Sequence, residues 1–163
     1  MKQHFILMAE YNRWANRRLY AAAEDVSDDK LWADKGAFFG SLMGTLNHIL
    51  VGDRLWLARF RGEPTPPVRL NTVLYRDLPS LRVARESEDE AILAFVNGLD
   101  QDLLPGALAY RTLNGTPSET PFAATLAHVF NHQTHHRGQA HAVLSALGHE
   151  PPEMDLILFV RQR

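Results

Sequence analysis

Four of the chain's eight histidines, His128, His132, His135 and His136, fall within one nine-residue run. A neutral imidazole near pH 7 can move a proton or ligate a divalent metal. Residues four apart stack on one face of a helix, so His132 and His136 can share one ion at ~2.0–2.1 Å per Zn–N bond. His128 lies one turn further back, and a straight helix cannot bring all three to one ion. His135 points about 100° away from His136. A third protein ligand must come from another segment. His4 sits at a terminus, His149 follows the expected helix stop, and His141 is off the His132/His136 face. His48, within TLNHILVGD, lies mid-segment beside an apolar stripe, near Thr45 and Leu55. A histidine there has either a hydrogen-bond partner or a metal, and taken alone it usually has the former.

Several chemistries are excluded. The residue after His132 is Gln133, so the pair lacks the glutamate base of an HExxH protease. No GxGxxG, Walker or Gly-x-Ser-x-Gly pattern occurs. The chain has no cysteine, which removes disulfides, thiolate ligands and a thiol nucleophile of its own. With 17 Lys+Arg against 19 Asp+Glu, no basic excess exists to hold nucleic acid. No apolar run approaches the ~20 residues of a membrane span. The N-terminal run FILMA is broken by Glu10, Asn12 and Arg13, unlike a signal peptide. A soluble, cytoplasmic protein is expected, and 163 residues of ordinary globular composition imply one domain over 1–163.

The elements that must position the histidines follow from periodicity. Phe5, Met8, Ala15, Leu19 and Ala22 mark a first long helix, ending near Asp25 to Ser27. Asp34-Lys35-Gly36 reads as a turn, and Ser41 caps a second long helix that stops at Gly62. Residues 62–80 hold four of nine prolines and read as an irregular crossover. A third long helix is expected from about Leu81 to Leu103, ended by Pro105-Gly106. Asn114-Gly115, between Tyr110, Leu113 and Phe122, signals a hairpin. Thr120-Pro121 then predicts the start of the histidine-bearing helix, with the Thr hydroxyl capping and Pro at its first position. Gly148 and Pro151-Pro152 end it, and the apolar tail from Met154 to Val160 is expected to pack back. The fold class is therefore all-α: a four-helix bundle with a long crossover and a small hairpin before the last long helix.

YNRWANRRL (11–19), LNHILVGDRLWL (46–57) and NGTPSETPFAATLAHVFNHQTHHRGQAHAVLSALG (114–148) together resemble the DinB-like family of four-helix-bundle metalloproteins. The resemblance covers nearly the whole chain, and NHxxHHRGQ (131–139) is its most specific part. It implies a metal triad of one histidine from the second long helix and an HxxxH pair from the last. Matched onto this sequence, these are His48, His132 and His136. It also implies chemistry, since some relatives are S-transferases or isomerases using bacillithiol, mycothiol or glutathione at the metal.

Three neutral imidazoles leave a dipositive ion with open positions, suited to activating a thiol or water. The expected function is a metal-dependent enzyme that activates a low-molecular-weight thiol toward a small-molecule substrate. The alternatives are a metal-dependent hydrolase and a non-catalytic metal-binding protein of the stress response. Zinc or nickel suits the donor set best, with iron and copper also compatible. Asp53, Arg137 and Gln139 are the polar groups expected to orient the ligands. Trp14, Trp32, Trp56, Phe38 and Phe39 exceed what four short stripes need, which together with the habit of relatives points to a homodimer.

Overall fold

In a computed structural model of residues 1–163, the four predicted long helices are α1 (Lys2–Ala23), α3 (Leu42–Phe60), α4 (Leu78–Gly98) and α5 (Phe122–Ala146). Between the first two lies a short turn of helix, α2 (Asp28–Leu31), and the tail forms α6 (Leu156–Gln162). Strands β1 (Ala107–Arg111) and β2 (Pro117–Pro121) pair antiparallel in register Arg111 to Pro117 through Ala107 to Pro121. Asn114-Gly115 turns the hairpin as expected, with Gly115 at φ +84°. No helix is long and apolar enough to cross a membrane.

The four long helices close a ring in which α1 packs on α4 and α5, and α3 packs on the same two. Their apolar stripes form two clusters at opposite ends. One joins the C-terminal halves of α1 and α5 to the N-terminal halves of α3 and α4, around Leu19, Leu46, Leu81 and Leu144. The other joins the reverse halves, around Phe5, Leu57, Val96 and Leu126. Helices α1 and α5 thus run one way and α3 and α4 the other. The parallel α3–α4 pair is why the connection between them must span the whole length of the ring.

Three boundaries differ from expectation. Helix α4 starts at Leu78, not Leu81, because the Asp77 carboxylate accepts from Ser80 N at 2.8 Å and Pro79 fits the first turn. It ends at Gly98, and Gln101–Leu103 forms a separate 3₁₀ turn capped by Asp100. Thr120 and Pro121 do not open α5. They complete β2, whose ladder fixes their backbone, and the Thr120 hydroxyl lies 2.7 Å from Thr125 Oγ1 instead of capping the helix. Ser41 does cap α3, accepting from Gly44 N at 3.0 Å.

Candidate metal centre

His48 stands on α3, and His132 and His136 on the facing side of α5. His48 Nε2 lies 3.0 Å from His132 Nε2 and 3.1 Å from His136 Nε2. One ligand atom from each of the three falls within 4.8 Å of the others, and His48 and His136 are buried. Two ligand atoms of one ion at ~2.0–2.1 Å each stand about 2.9–3.4 Å apart between right-angle and tetrahedral geometry. The observed separations fall in that range.

The outer nitrogens determine what the inner ones can do. His48 Nδ1 lies 2.8 Å from the Leu70 carbonyl, so it must carry the proton and donate. His136 Nδ1 lies 2.8 Å from Gln139 Oε1, while Gln139 Nε2 donates to His135 Nε2 at 3.1 Å, which fixes the amide orientation. His136 Nδ1 is therefore also the protonated nitrogen. Both rings then turn a bare Nε2 lone pair toward the same point, 3.1 Å apart. Two lone pairs at that distance repel unless a cation lies between them. Burial holds the His48 pKa down at about 4, against the lifting hydrogen bond to Leu70, and burial with the neighbouring histidines holds His132 near 3. His136 is lowered as well, chiefly by burial. All three are neutral at pH 7, the form that ligates metal.

Local sequence explains the placement. Asn47 pins the crossover beside His48: its carbonyl oxygen accepts from Leu74 N and Tyr75 N, and its amide donates to the Tyr75 carbonyl. Leu70 is thereby held against the ring. One turn on from His48, Gly52 leaves room for His132, because a Cβ there would stand 2.9 Å from His132 Cε1. A mid-helix glycine costs about 1 kcal/mol relative to alanine, and here the close approach requires it. Phe39 stacks on His48 with ring centroids 3.7 Å apart and meets His136 edge-on. Sequence reading missed Phe39, Asn47, Gly52 and Leu70. A glycine one turn from a helical histidine was the only available signal.

The remaining histidines stand apart from the triad. His128 is exposed and packs edge-on against Trp56, and His135 is exposed and bonded to Gln139. Of the three expected orienting groups, only Gln139 reaches a triad ring. Asp53 and Arg137 are corrections: both point into the ring of helices, one residue along from Gly52 and His136. There the Asp53 carboxylate pairs with Arg85 of α4, whose Nη2 lies 3.0 Å from Asp89 Oδ1. Asp89 accepts from Asn12 and Asn16 of α1, and Arg137 donates to Asn12 and to Gln133. Buried charges turn to each other when no water can reach them.

The family model of the DinB family matches residues 1–163. The chain belongs to the DinB family. Among curated proteins it is similar to Protein DinB of Bacillus subtilis (strain 168), 24% identical over 159 residues that cover 93% of this chain and 91% of that protein. Among solved structures it is similar to a DinB-like protein from Bacillus cereus ATCC 10987, with a TM-score of 0.65 and 17% identity. That likeness covers 85% of this chain and 89% of the other, and it supports the fold of this DinB-family chain.

Proposed function

We propose that this DinB-family chain is a metal-dependent enzyme in which His48, His132 and His136 hold one divalent ion that activates a low-molecular-weight thiol for S-transfer. The observation that carries the reading is the pair of bare Nε2 lone pairs, each fixed by a hydrogen bond on the far side of its ring and turned toward its neighbour 3.1 Å away. An all-nitrogen donor set suits zinc or nickel, with iron and copper compatible. An ion so held would lower the pKa of a coordinated thiol and supply a thiolate near neutral pH. The chain's own residues do the rest. Leu70 and Gln139 hold the tautomers, Phe39 covers one face of His48, and a cavity beside His48 and His132 admits a small molecule. With no cysteine in the chain, the thiol arrives as a co-substrate. Its sulfur bonds to the electrophile's carbon, its proton passes to solvent, and the leaving group departs with the bonding pair. Low-molecular-weight thiols stay reduced in the cytoplasm, where such a reaction belongs.

Elemental analysis of protein purified without added metal, followed by a screen of thiol–electrophile pairs, tests this. Near-stoichiometric metal and thiol-dependent turnover, lost in His136→Ala, are expected. Ester or amide turnover without thiol would make the protein a hydrolase. Bound metal closed to exchange, with no turnover, would make it a metal-holding protein.

The ring of α1, α3, α4 and α5 is read as the family's four-helix bundle, and the assembly as a homodimer. Phe38 is 83% exposed and Trp32 39%, an unusual aromatic pair to leave in water. A monomeric mass by light scattering at tens of micromolar would refute the dimer.

A further inference from the structure

The cavity beside the histidines contains a cation with no anion to match it. Its volume is about 390 Å³, within the range of small-molecule sites. Helix α3 contributes one wall as a stripe at three- and four-residue steps: His48, Gly52, Leu55, Trp56 and Arg59. Arg59 lies about 16 Å along the helix axis from His48 at 1.5 Å per residue, and its long side chain covers part of that distance. Opposite, the hairpin contributes Tyr110, Thr112 and Leu113. No aspartate or glutamate lines the space.

The Arg59 guanidinium is braced between two rings, 4.5 Å from the Trp56 centroid and 4.8 Å from that of Tyr110. Its Nε is buried and has no hydrogen-bond partner. Burial lowers its pKa, as for a cation without a carboxylate beside it. Aromatic faces attract a cation but leave its N–H donors unused. A planar fork of donors held in place, in a cavity free of competing carboxylates, matches a carboxylate or phosphate.

We propose that Arg59 is an anion anchor, and that the cavity takes a small organic molecule carrying a carboxylate or phosphate at Arg59, an apolar body along Leu55 and Trp56, and its reacting end at the histidines. The last of these three contacts rests on the metal-site reading above; the first two do not. Arg59 would then set which thiol or electrophile enters, and the hairpin would serve as the far wall of a binding site.

Calorimetric titration with hexanoate, hexyl phosphate and hexanol, on metal-free and metal-loaded protein, tests the anchor. Charge-assisted hydrogen bonds predict that one of the anions binds roughly tenfold or more tighter than hexanol. The tighter anion identifies the headgroup. Arg59→Met should abolish the preference and Arg59→Lys should keep part of it, with bound metal unchanged in both. Equal binding of all three probes, no binding of any, or a preference that survives Arg59→Met would show that the guanidinium only packs, and would overturn the proposal. Should Arg59→Met fail to fold, Leu113→Glu on the exposed hairpin turn offers Arg59 an internal carboxylate. It should weaken the anion and spare hexanol, and an unchanged preference counts against the anchor. On metal-loaded protein, 6-mercaptohexanoate should bind more tightly than hexanoate. Equal affinities there would sink the claim about the reacting end. Wild-type protein that holds no metal yet prefers the anion would refute the metal site and leave the anchor standing.

Discussion

Two polar layers are cut from the same turns of the same helices, and they have opposite fates. His132 and His136 face His48, while their sequence neighbours Gln133 and Arg137 repeat the four-residue step one position on and face the interior. On α3, Gly52 makes room for His132 while Asp53 turns inward to Arg85. The inward layer finds most of its partners within the protein, although Asp53 Oδ1, Arg85 Nε and Gln133 Nε2 have none. Two acids, Asp53 and Asp89, face two bases, Arg85 and Arg137, and Asn12, Asn16 and Gln133 add hydrogen bonds between the two apolar clusters. The histidine layer instead turns the Nε2 lone pairs of His48 and His136 toward a shared point. A polar cluster with internal partners holds a fold together, whereas one whose donors converge on a shared point calls for a ligand.

The largest effect should come from breaking the inward layer. Arg85→Ala strands two buried carboxylates, a type of loss that costs about 3–5 kcal/mol. Urea denaturation should show a destabilisation of that order or a chain that fails to fold, whereas a change below about 1 kcal/mol would mean that Arg85 does not hold the layer together. The histidine layer should behave in the opposite way. His132→Ala or His48→Ala should lose most bound metal, while the metal-free variant unfolds within about 1 kcal/mol of metal-free wild type. His128→Ala and His149→Ala should keep the metal. Retention of metal by His48→Ala together with its loss from His128→Ala would mean that the ligand set is wrong.

That contrast also explains what could be read from the sequence. The long helices and the hairpin were legible because apolar period, the Ser41 cap and Asn114-Gly115 are local signals. The start of α5 was misread because Thr120-Pro121 carries two meanings, and pairing of Pro121 with Ala107, fourteen residues away, decided between them. The triad was legible as a pair plus one, since i, i+4 spacing fixes His132 and His136 and the resemblance adds His48. Asp53 and Arg137 were misassigned because a charged residue beside a ligand looks the same in sequence whether it turns toward the site or away. Only their partners Arg85, Asp89 and Asn12, on other helices, settle the direction. Asn12 and Asn16 of the first-helix signature thus belong to the buried network.

A smaller effect should follow at the seam between the layers. Gly52→Ala places a methyl group where His132 Cε1 now lies, so the ring must move. Metal affinity should fall by about tenfold, the lower end of what disturbed ligand orientation costs. Removing a mid-helix glycine should at the same time leave metal-free stability unchanged or raised by up to about 1 kcal/mol. Competition against a chromophoric chelator measures the first quantity, and thermal melts of metal-free protein the second. Unchanged affinity would show that His132 does not need its present position. A large loss of stability would show that α3 and α5 cannot separate to admit the methyl group.

The smallest effect concerns pH and isolates one carboxyl of the inward layer. Burial, reinforced by Asp89 and opposed by Arg85, raises the Asp53 pKa from 3.8 to about 7, and its Oδ1 has no hydrogen-bond partner. The folded chain therefore holds a proton here between pH 3.8 and about 7 that the unfolded chain has released. Stability from this group is fully present below pH 3.8 and is lost as pH rises through about 7. Asp53→Asn resembles the protonated form at every pH, so it removes that limb. Compared with wild type in urea titrations, the variant should improve in relative stability between pH 5 and pH 8. The comparison uses metal-free protein, so that metal binding to the histidines does not contribute. A relative stability that stays flat between pH 5 and pH 8 would mean that Arg85 outweighs burial and that Asp53 is ionised throughout. The inward layer would then be an ion pair whose charges persist to low pH, and its contrast with the neutral histidines would be sharper still.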